Sequence, residues 1–247
     1  MLLKLIVDIG NTSSKIAVFS NDEIIDFRVI NDKLIEVVKE VIVSFPDICS
    51  SILSSVSNHD GQISNLLQEK GYFIELNHTT NVPFKNMYQS TTTLGKDRIA
   101  IAAAGIAAYP DENVLVIDMG TCVTYDFINA DGEYLGGAIS PGLTMRFDSL
   151  GKFTHGLPTL DKPSAGKEVN LIGKTTDESI TSGVINGLKM EVEHIINQYE
   201  ALFSPLKIII SGGDYLYFEN LAKSNIFASP NIVVYGLKKI LDFNEKN

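Results

Sequence analysis

The chain has 247 residues, a formal net charge of −10 and a sequence pI of about 4.8. Its 45% hydrophobic content is normal for a folded protein, and its length allows one large domain or two of ordinary size. The negative charge argues against nucleic acid as a partner, because the phosphates would be repelled. The two cysteines are too few for a disulfide framework or a cysteine-based zinc site. No apolar stretch is long enough to span a membrane and none resembles a signal peptide, so we expect a cytoplasmic protein.

The first part of the chain predicts a β-β-β-α-β-α-β order of elements. Apolar periodicity and turn residues define these elements at residues 2–7, 14–20, 23–29, 34–43, 50–56, 59–71 and 72–76. This order is typical of a ribonuclease-H-like domain. An alanine-rich helix over residues 97–108 follows, and it ends before Tyr109-Pro110 because proline cannot continue a helix.

The second part of the chain opens with the same three strands. The predicted elements are strands at 114–117, 123–128 and 133–139, a helix at 143–150, a loop at 158–173, a long amphipathic helix at 179–203 and a strand at 206–210. Thr175-Thr176 is predicted to cap the long helix. The repetition predicts two similar α/β domains, residues 1–109 and 110–247, with a central cleft.

Two turns carry the strongest functional signal. In the first, a strand ends at Asp8, the turn contains Gly10, and Lys15 lies on the next strand. In the second, Asp118 ends a strand and Gly120-Thr121 forms the turn. Glycine permits dihedral angles that strain other residues, and consecutive backbone N–H groups in such a turn can hold an anion. An ordinary hairpin is the alternative for one copy, but two matched copies favour two half-sites for a nucleotide.

The charges in these turns suggest what they bind. Lys15 can reach a phosphate group as a point charge. A carboxylate beside phosphate oxygens is favourable mainly when a cation lies between them, which applies to Asp8 and to Asp118.

A second informative stretch is Gly95-Lys96-Asp97-Arg98 at the start of a helix. In a functional interpretation, Asp97 accepts a proton from a substrate hydroxyl while Arg98 holds an anionic group. The alternative is that Asp97 is only an acid in a first helical turn, where the helix dipole favours it. Two glycine-rich segments, Gly136–Gly142 and Ser211-Gly212-Gly213, would permit close approach of a ligand, and a tight loop is the alternative for the former.

Taken together, these residues resemble the actin/hexokinase/Hsp70 superfamily of phosphotransferases and, within it, the type III pantothenate kinase family. Asp8–Thr12 with Lys15 resembles the first phosphate motif of that family, and Asp118–Thr121 resembles the second. Gly95–Arg98 is similar to its Gly-x-Asp-Arg motif, and Gly136–Gly142 to its glycine-proline segment. The resemblance implies two duplicated ribonuclease-H-like (actin-like ATPase) domains. The sequence departs from the family pattern around Met119 and Cys122-Val123, and Lys96 stands where the family commonly has a small residue.

The resemblance also implies an activity, the ATP-dependent phosphorylation of pantothenate to 4'-phosphopantothenate in the first step of coenzyme A biosynthesis. Asp97 would be the general base. The implied pantothenate-binding residues are Tyr88, Gly95, Lys96, Asp97, Arg98 and Thr176. The implied ATP-binding residues are Asp8, Ile9, Gly10, Asn11, Thr12, Ser13, Ser14, Lys15 and Thr121.

Further implications concern ions and partners. Mg²⁺ would accompany ATP, Asp118 would bind a monovalent cation, K⁺ or NH₄⁺, and the protein would be a homodimer. Ser182, Gly183 and Gly187 would offer the partner a small-residue face on the long helix. Two other functions stay open, a small-molecule kinase such as a sugar kinase and a non-catalytic nucleotide-binding regulator.

Overall fold

The computed structural model describes residues 2–56, 61–221 and 225–246, and it divides into two compact units. Unit 1 contains the chain up to Ala108 together with the segment from Asn231 onward, and unit 2 is Tyr109–Pro230. The first boundary lies next to the one predicted after residue 109. The C-terminal segment differs from the prediction, because its helix belongs to unit 1 and not to the second domain.

Unit 1 is built around a sheet of strands in the order β3-β2-β1-β4-β5. β1 is antiparallel to β2 and parallel to β4, and it is buried along most of its length. The strands of this sheet are β1 (Leu3–Ile9), β2 (Ser14–Ser20), β3 (Glu23–Ile30), β4 (Ile48–Ser55) and β5 (Tyr72–Glu75). A short β6 (Lys85–Asn86) lies further along the chain and is not part of this sheet. The helices are α1 (Leu34–Ser44), α2 (Gln62–Gln68), α3 (Lys96–Ala108) and the C-terminal α6 (Ile232–Glu245).

The helix α6 joins unit 1 through close packing and buried charge. Its apolar face packs on α3, and it also contacts β1 and β4. Lys238 is 4% exposed, and its Nζ lies 2.7 Å from carboxylate oxygens of both Asp22 and Asp242. Lys4 on β1 also pairs with Asp242 at 2.7 Å. These contacts explain why the last helix completes the first unit.

Unit 2 repeats the strand order of unit 1. Its strands run β11-β10-β7-β8-β9, where β7 is antiparallel to β8 and parallel to β10. The elements are β7 (Asn113–Met119), β8 (Cys122–Ile128), β9 (Glu133–Pro141), α4 (Leu143–Phe153), α5 (Thr176–Leu202), β10 (Leu206–Ser211) and β11 (Ile226–Ala228). In each unit, three antiparallel strands precede a fourth that returns beside the first. The predicted duplication of a ribonuclease-H-like α/β domain is therefore confirmed.

Several element boundaries differ from the prediction. The helix predicted at 59–71 is α2, which begins at Gln62, and residues 59 and 60 of the predicted helix lie outside the described residues. α5 begins at Thr176, and the predicted cap is confirmed because the Thr175 hydroxyl accepts a hydrogen bond of 3.2 Å from the Glu178 N–H. β6, β11, α6 and two 3-10 helices were not predicted. Within the described ranges, no helix combines the length and the apolar character that a membrane crossing requires.

Candidate functional site

The first turn joins β1 to β2. Asp8 is 6% exposed and faces Lys15 across the two strands. The N–H of Gly10 donates to the Ser13 carbonyl at 3.2 Å and closes the turn, while Asn11 and Thr12 are exposed. Gly10 has no left-handed φ, so unusual dihedrals are not its role, contrary to the prediction. Space is the reason for glycine there, since a Cβ would lie 2.9 Å from the Ser13 carbonyl oxygen.

The carboxyl of Asp8 lies in a field set by two neighbouring charges. Burial raises its pKa above the ordinary value, and the negative charge of Asp97 adds to this effect. The Lys15 ammonium and the Ser54 hydroxyl act in the opposite direction on the same pKa. The structure therefore brings together, within unit 1, the acid of the first turn, its lysine and the predicted base.

The start of α3 carries the Gly-x-Asp-Arg stretch. Asp97 is half-buried in the first turn of the helix, and its Oδ1 accepts a 2.9 Å hydrogen bond from the Arg98 N–H. A Cβ at Gly95 would meet that same Oδ1, so glycine leaves room for the carboxylate. Arg98 is 4% exposed, and its guanidinium carbon lies 5.6 Å from the centre of the Tyr88 ring. This geometry suits a cation–π contact that orients a buried guanidinium.

The second turn joins β7 to β8 and is shorter than the first. β8 begins at Cys122, and the Gly120 N–H donates to the Cys122 carbonyl at 3.0 Å. The residue opposite Asp118 is Thr124, whereas a lysine occupies the matching position of the first turn. Thr121 is exposed at the tip. Gly120, like Gly10, has no left-handed φ.

Two other segments pack directly on this second turn. The Gly142 N–H donates to the Thr121 carbonyl at 3.1 Å, and a Cβ on Gly142 would lie 2.5 Å from that same oxygen. Behind it, Gly212 has a φ of +91°, and a Cβ there would lie 2.5 Å from the Met119 backbone nitrogen. Both glycines are thus required for close approach of protein backbone.

Space for a ligand was also the prediction for Gly142 and Gly212, and both instead make room for protein backbone. Gly137 needs the same correction. Gly137 was expected to make room for a ligand or a tight loop. It instead lies within β9 opposite Asp126, and a Cβ there would be 2.7 Å from the Tyr125 carbonyl carbon of β8. Its role is to let two strands pack closely.

Unit 2 also contains a cavity that the sequence did not predict. Its volume is about 430 Å³, and its walls include Lys167, Lys189 and Tyr217. Asp214, which is 5% exposed, pairs with Lys162, and the Tyr217 hydroxyl donates to the Pro163 carbonyl, so both contacts hold the 158–173 loop beside the cavity. In the sequence, the position of Asp214 directly after Gly212-Gly213 was the available signal for its contact with the 158–173 loop.

The predicted site residues divide between the units. Unit 1 contains the residues from Asp8 to Lys15, together with Tyr88 and Gly95–Arg98. Unit 2 contains Asp118, Thr121 and Thr176, the last of which is exposed at the first position of α5. Each unit thus carries one glycine turn with an acid at the end of the preceding strand.

A duplicated ribonuclease-H-like fold with such turns is the arrangement of the actin/hexokinase/Hsp70 superfamily, which includes phosphotransferases. A family model described as type III pantothenate kinase matches residues 4–198. The chain is 45% identical over 244 residues to the type III pantothenate kinase of Christiangramia forsetii, with 98% of this chain and 99% of the relative covered. It is 41% identical over 252 residues to that of Phocaeicola vulgatus, with 99% and 100% covered. The chain belongs to the type III pantothenate kinase family.

Solved structures support the fold independently. A Baf family protein from Campylobacter jejuni superimposes with a TM-score of 0.63 at 20% identity, covering 98% of this chain and 100% of the other. Component A of the Acidaminococcus fermentans (R)-2-hydroxyglutaryl-CoA dehydratase gives a TM-score of 0.53 at 13% identity, and both chains are covered completely. At these identities the likeness concerns the fold alone.

Proposed function

We propose that this chain transfers the terminal phosphoryl group of ATP to pantothenate, which gives 4'-phosphopantothenate and ADP in the first step of coenzyme A biosynthesis. The observation that carries the proposal is the placement of Asp97. This carboxylate lies at the start of α3, and its negative charge contributes to the raised pKa of Asp8. The chain that carries it belongs to the type III pantothenate kinase family. The base and the first phosphate turn are therefore neighbours in one unit.

The ATP-binding role of the first turn is supported by its exposed donors. The turn presents the side chains of Asn11 and Thr12 to solvent, and Lys15 supplies a positive charge close to Asp8. Such a combination of backbone N–H groups, polar side chains and one lysine suits phosphate oxygens. Ile9, Gly10, Ser13 and Ser14 complete this binding segment of unit 1, and Thr121 is the ATP-binding residue proposed in unit 2.

The pantothenate-binding role falls to Tyr88, Gly95, Lys96, Arg98 and Thr176. The buried Arg98 guanidinium would attract the carboxylate of pantothenate, with Lys96 adding positive charge at the half-buried helix start. Asp97 would accept the proton of the primary hydroxyl while that oxygen attacks the terminal phosphorus and the bond to ADP breaks. Placement and charge stabilisation contribute more than basicity in this kind of transfer.

A monovalent cation, K⁺ or NH₄⁺, would be bound by Asp118, and Mg²⁺ would accompany ATP. The fit rests on the donor set, because Asp118 faces Thr124 where Asp8 faces Lys15. Among the described residues, no group of three or more His, Cys, Asp or Glu side chains could hold a metal ion. Backbone carbonyls, water and phosphate oxygens would therefore complete the coordination of the cation.

A homodimer and a cytoplasmic location complete the proposal. The exposed Gly183 and Gly187 on α5 have open space around them, so the backbone of a second subunit could approach closely. Light scattering after gel filtration would measure the mass, and a monomer at micromolar concentration would refute the dimer. The location follows from the need for ATP.

The central experiment is a coupled ADP-release assay with ATP and pantothenate. Asp97→Asn should lower kcat by roughly 100-fold or more without a change in unfolding temperature. The matched control is Glu36→Gln, which removes an acid from the first turn of α1 in the same unit. If Asp97 were only favoured by the helix dipole, both variants would retain wild-type turnover.

Two further measurements complete the test. Phosphorylation of a sugar but not of pantothenate in an acceptor panel would refute the substrate, and ADP release that ignores every acceptor would refute the kinase activity. Replacing Na⁺ by K⁺ at constant ionic strength should stimulate the wild type. Asp118→Asn should lose this stimulation, whereas Lys15→Met should keep the stimulation ratio and raise the KM for ATP.

A further inference from the structure

The side chain of Arg146 on α4 connects three elements of unit 2. Its Nε donates to the Pro141 carbonyl at 2.8 Å, at the end of β9. Its Nη2 donates to the Ser140 hydroxyl at 2.7 Å and to the Glu191 carboxylate on α5 at 2.7 Å. One guanidinium thus links the end of β9 and the start of α4 to the long helix.

The acceptor residue Glu191 is itself held in place by β8. The Tyr125 hydroxyl donates to its second carboxylate oxygen at 3.3 Å, and Tyr125 is fully buried. Burial and the negative charge of Glu191 both raise the pKa of Tyr125, so this hydroxyl remains a donor at neutral pH. Both oxygens of the Glu191 carboxylate therefore have a defined partner.

Arg146 holds the Pro141-Gly142 segment, which packs on the second turn, Gly120-Thr121. Pro141 precedes Gly142, whose N–H donates to the Thr121 carbonyl at 3.1 Å. The Arg146 N–H also donates to the Gly142 carbonyl at 3.0 Å, so backbone and side chain of one residue fix both sides of this glycine. A shift of Gly142 would be transmitted directly to Gly120-Thr121.

We propose that Arg146 is a positioning residue for ATP binding, which acts with Glu191 by fixing the Pro141-Gly142 segment against the Gly120-Thr121 turn. The inference rests on the proposed function for the identity of the nucleotide as ATP. The contacts of Arg146 do not depend on that proposal. Arginine suits this role because its planar fork can satisfy three separate acceptors, whereas a lysine ammonium at the same place would satisfy fewer of them at once.

The test compares Arg146→Met, Arg146→Lys, Glu191→Gln and the double variant Arg146→Met/Glu191→Gln. Lys152→Met is the matched control, because Lys152 lies on the same helix and pairs with Asp148 at 2.8 Å on the exposed surface. Calorimetric titration gives the Kd of ATP without pantothenate, and steady-state kinetics give separate KM values for the two substrates. Thermal unfolding is recorded for every variant.

Arg146→Met should raise the Kd of ATP roughly tenfold, as expected when hydrogen bonds to a charged group are lost. The KM for pantothenate should stay within about twofold, and Lys152→Met should match the wild type. Arg146→Lys should fall between the wild type and Arg146→Met. Because the two residues act as one unit, the double variant should bind ATP no more weakly than Arg146→Met.

Two results would overturn the inference. The first is an unchanged Kd for ATP in Arg146→Met with a lower unfolding temperature, because that pattern describes a purely structural contact. The second is an additive loss of ATP affinity in the double variant. Failure of the proposed function is distinguishable, since it would show as an absence of pantothenate-dependent ADP release in the wild type while calorimetry still reports the ATP affinity of each variant.

Discussion

The contact between α6 and α3 gives the sharpest prediction for unit 1. Gly236 of α6 lies directly against the backbone of Ala100 in α3, and a Cβ added to Gly236 would lie 2.5 Å from the Ala100 carbonyl carbon. An ordinary contact between carbon atoms is about 3.5–4.0 Å. Because the obstacle is backbone and not a flexible side chain, Gly236→Ala must separate the two helices by about 1 Å.

The size of the effect follows from this displacement. Overpacking of this kind destabilises a protein by roughly 1–3 kcal/mol, which corresponds to a fall in unfolding temperature of roughly 2–12 °C for a chain of this length. The displaced helix begins at Lys96, and its first turn carries Asp97 and Arg98. A displacement of about 1 Å at reacting groups can lower turnover by roughly 100-fold, so Gly236→Ala should lose activity even at temperatures where it is folded.

The assay is thermal unfolding followed by ADP release at a temperature well below both transitions. Gly156→Ala is the control, because Gly156 has open space around it and no left-handed φ, so its unfolding temperature should be unchanged or slightly higher. Wild-type unfolding temperature and turnover in Gly236→Ala would refute the reasoning. Lower stability with unchanged turnover would show that α3 keeps its place while α6 alone adjusts.

Three other predictions follow from the charges in unit 1. Burial raises the pKa of Asp8, so its ionised form disfavours folding at neutral pH. Asp8→Asn should therefore raise the unfolding temperature while it abolishes ADP release. A lower unfolding temperature in this variant would contradict the argument. Burial opposes a lower pKa at Asp242, but hydrogen bonds from Lys238 and Lys4 prevail and keep it below the ordinary value. The stabilisation from the ionised Asp242 is present above the unfolded pKa of about 3.9 and is lost as the pH falls through the lower folded pKa. Asp242→Asn should therefore destabilise the protein by roughly 2 kcal/mol at pH 7. Below pH 4 the variant should lose less stability than the wild type, as urea titrations would show. Tyr88→Ala should raise the KM for pantothenate roughly threefold or more, while Tyr88→Phe keeps the ring and stays near wild type. Equal KM values in both variants would show that the cation–π contact does not contribute to pantothenate binding.

The local features of the fold were predictable because they depend on short stretches of chain. The three opening strands of each unit alternate or run apolar, and turn residues separate them, so their order could be predicted from the sequence. The acids at Asp8 and Asp118 follow from the same pattern, since each is at or near the end of a β-strand. A proline and a threonine cap likewise marked the ends of α3 and the start of α5.

The features that were missed depend on contacts between distant residues. α6 was not predicted, and its membership of unit 1 is decided by packing on α3 and by charge pairs with Lys4 and Asp22. The reason for glycine at position 137 is a neighbouring strand, which local sequence does not reveal. The Arg146–Glu191 pair spans 45 residues, so no local pattern could indicate it.

The comparison of the two turns shows how duplication produced unequal halves. At matching register positions, Asp8 faces a lysine and Asp118 faces a threonine. The first carboxylate therefore has a protein cation opposite it, and anionic phosphate can approach that pair without a large repulsive term. The second carboxylate has a threonine at that position, so its cross-strand neighbour contributes no positive charge. The monovalent cation proposed at Asp118 would supply at the second turn the positive charge that Lys15 supplies at the first.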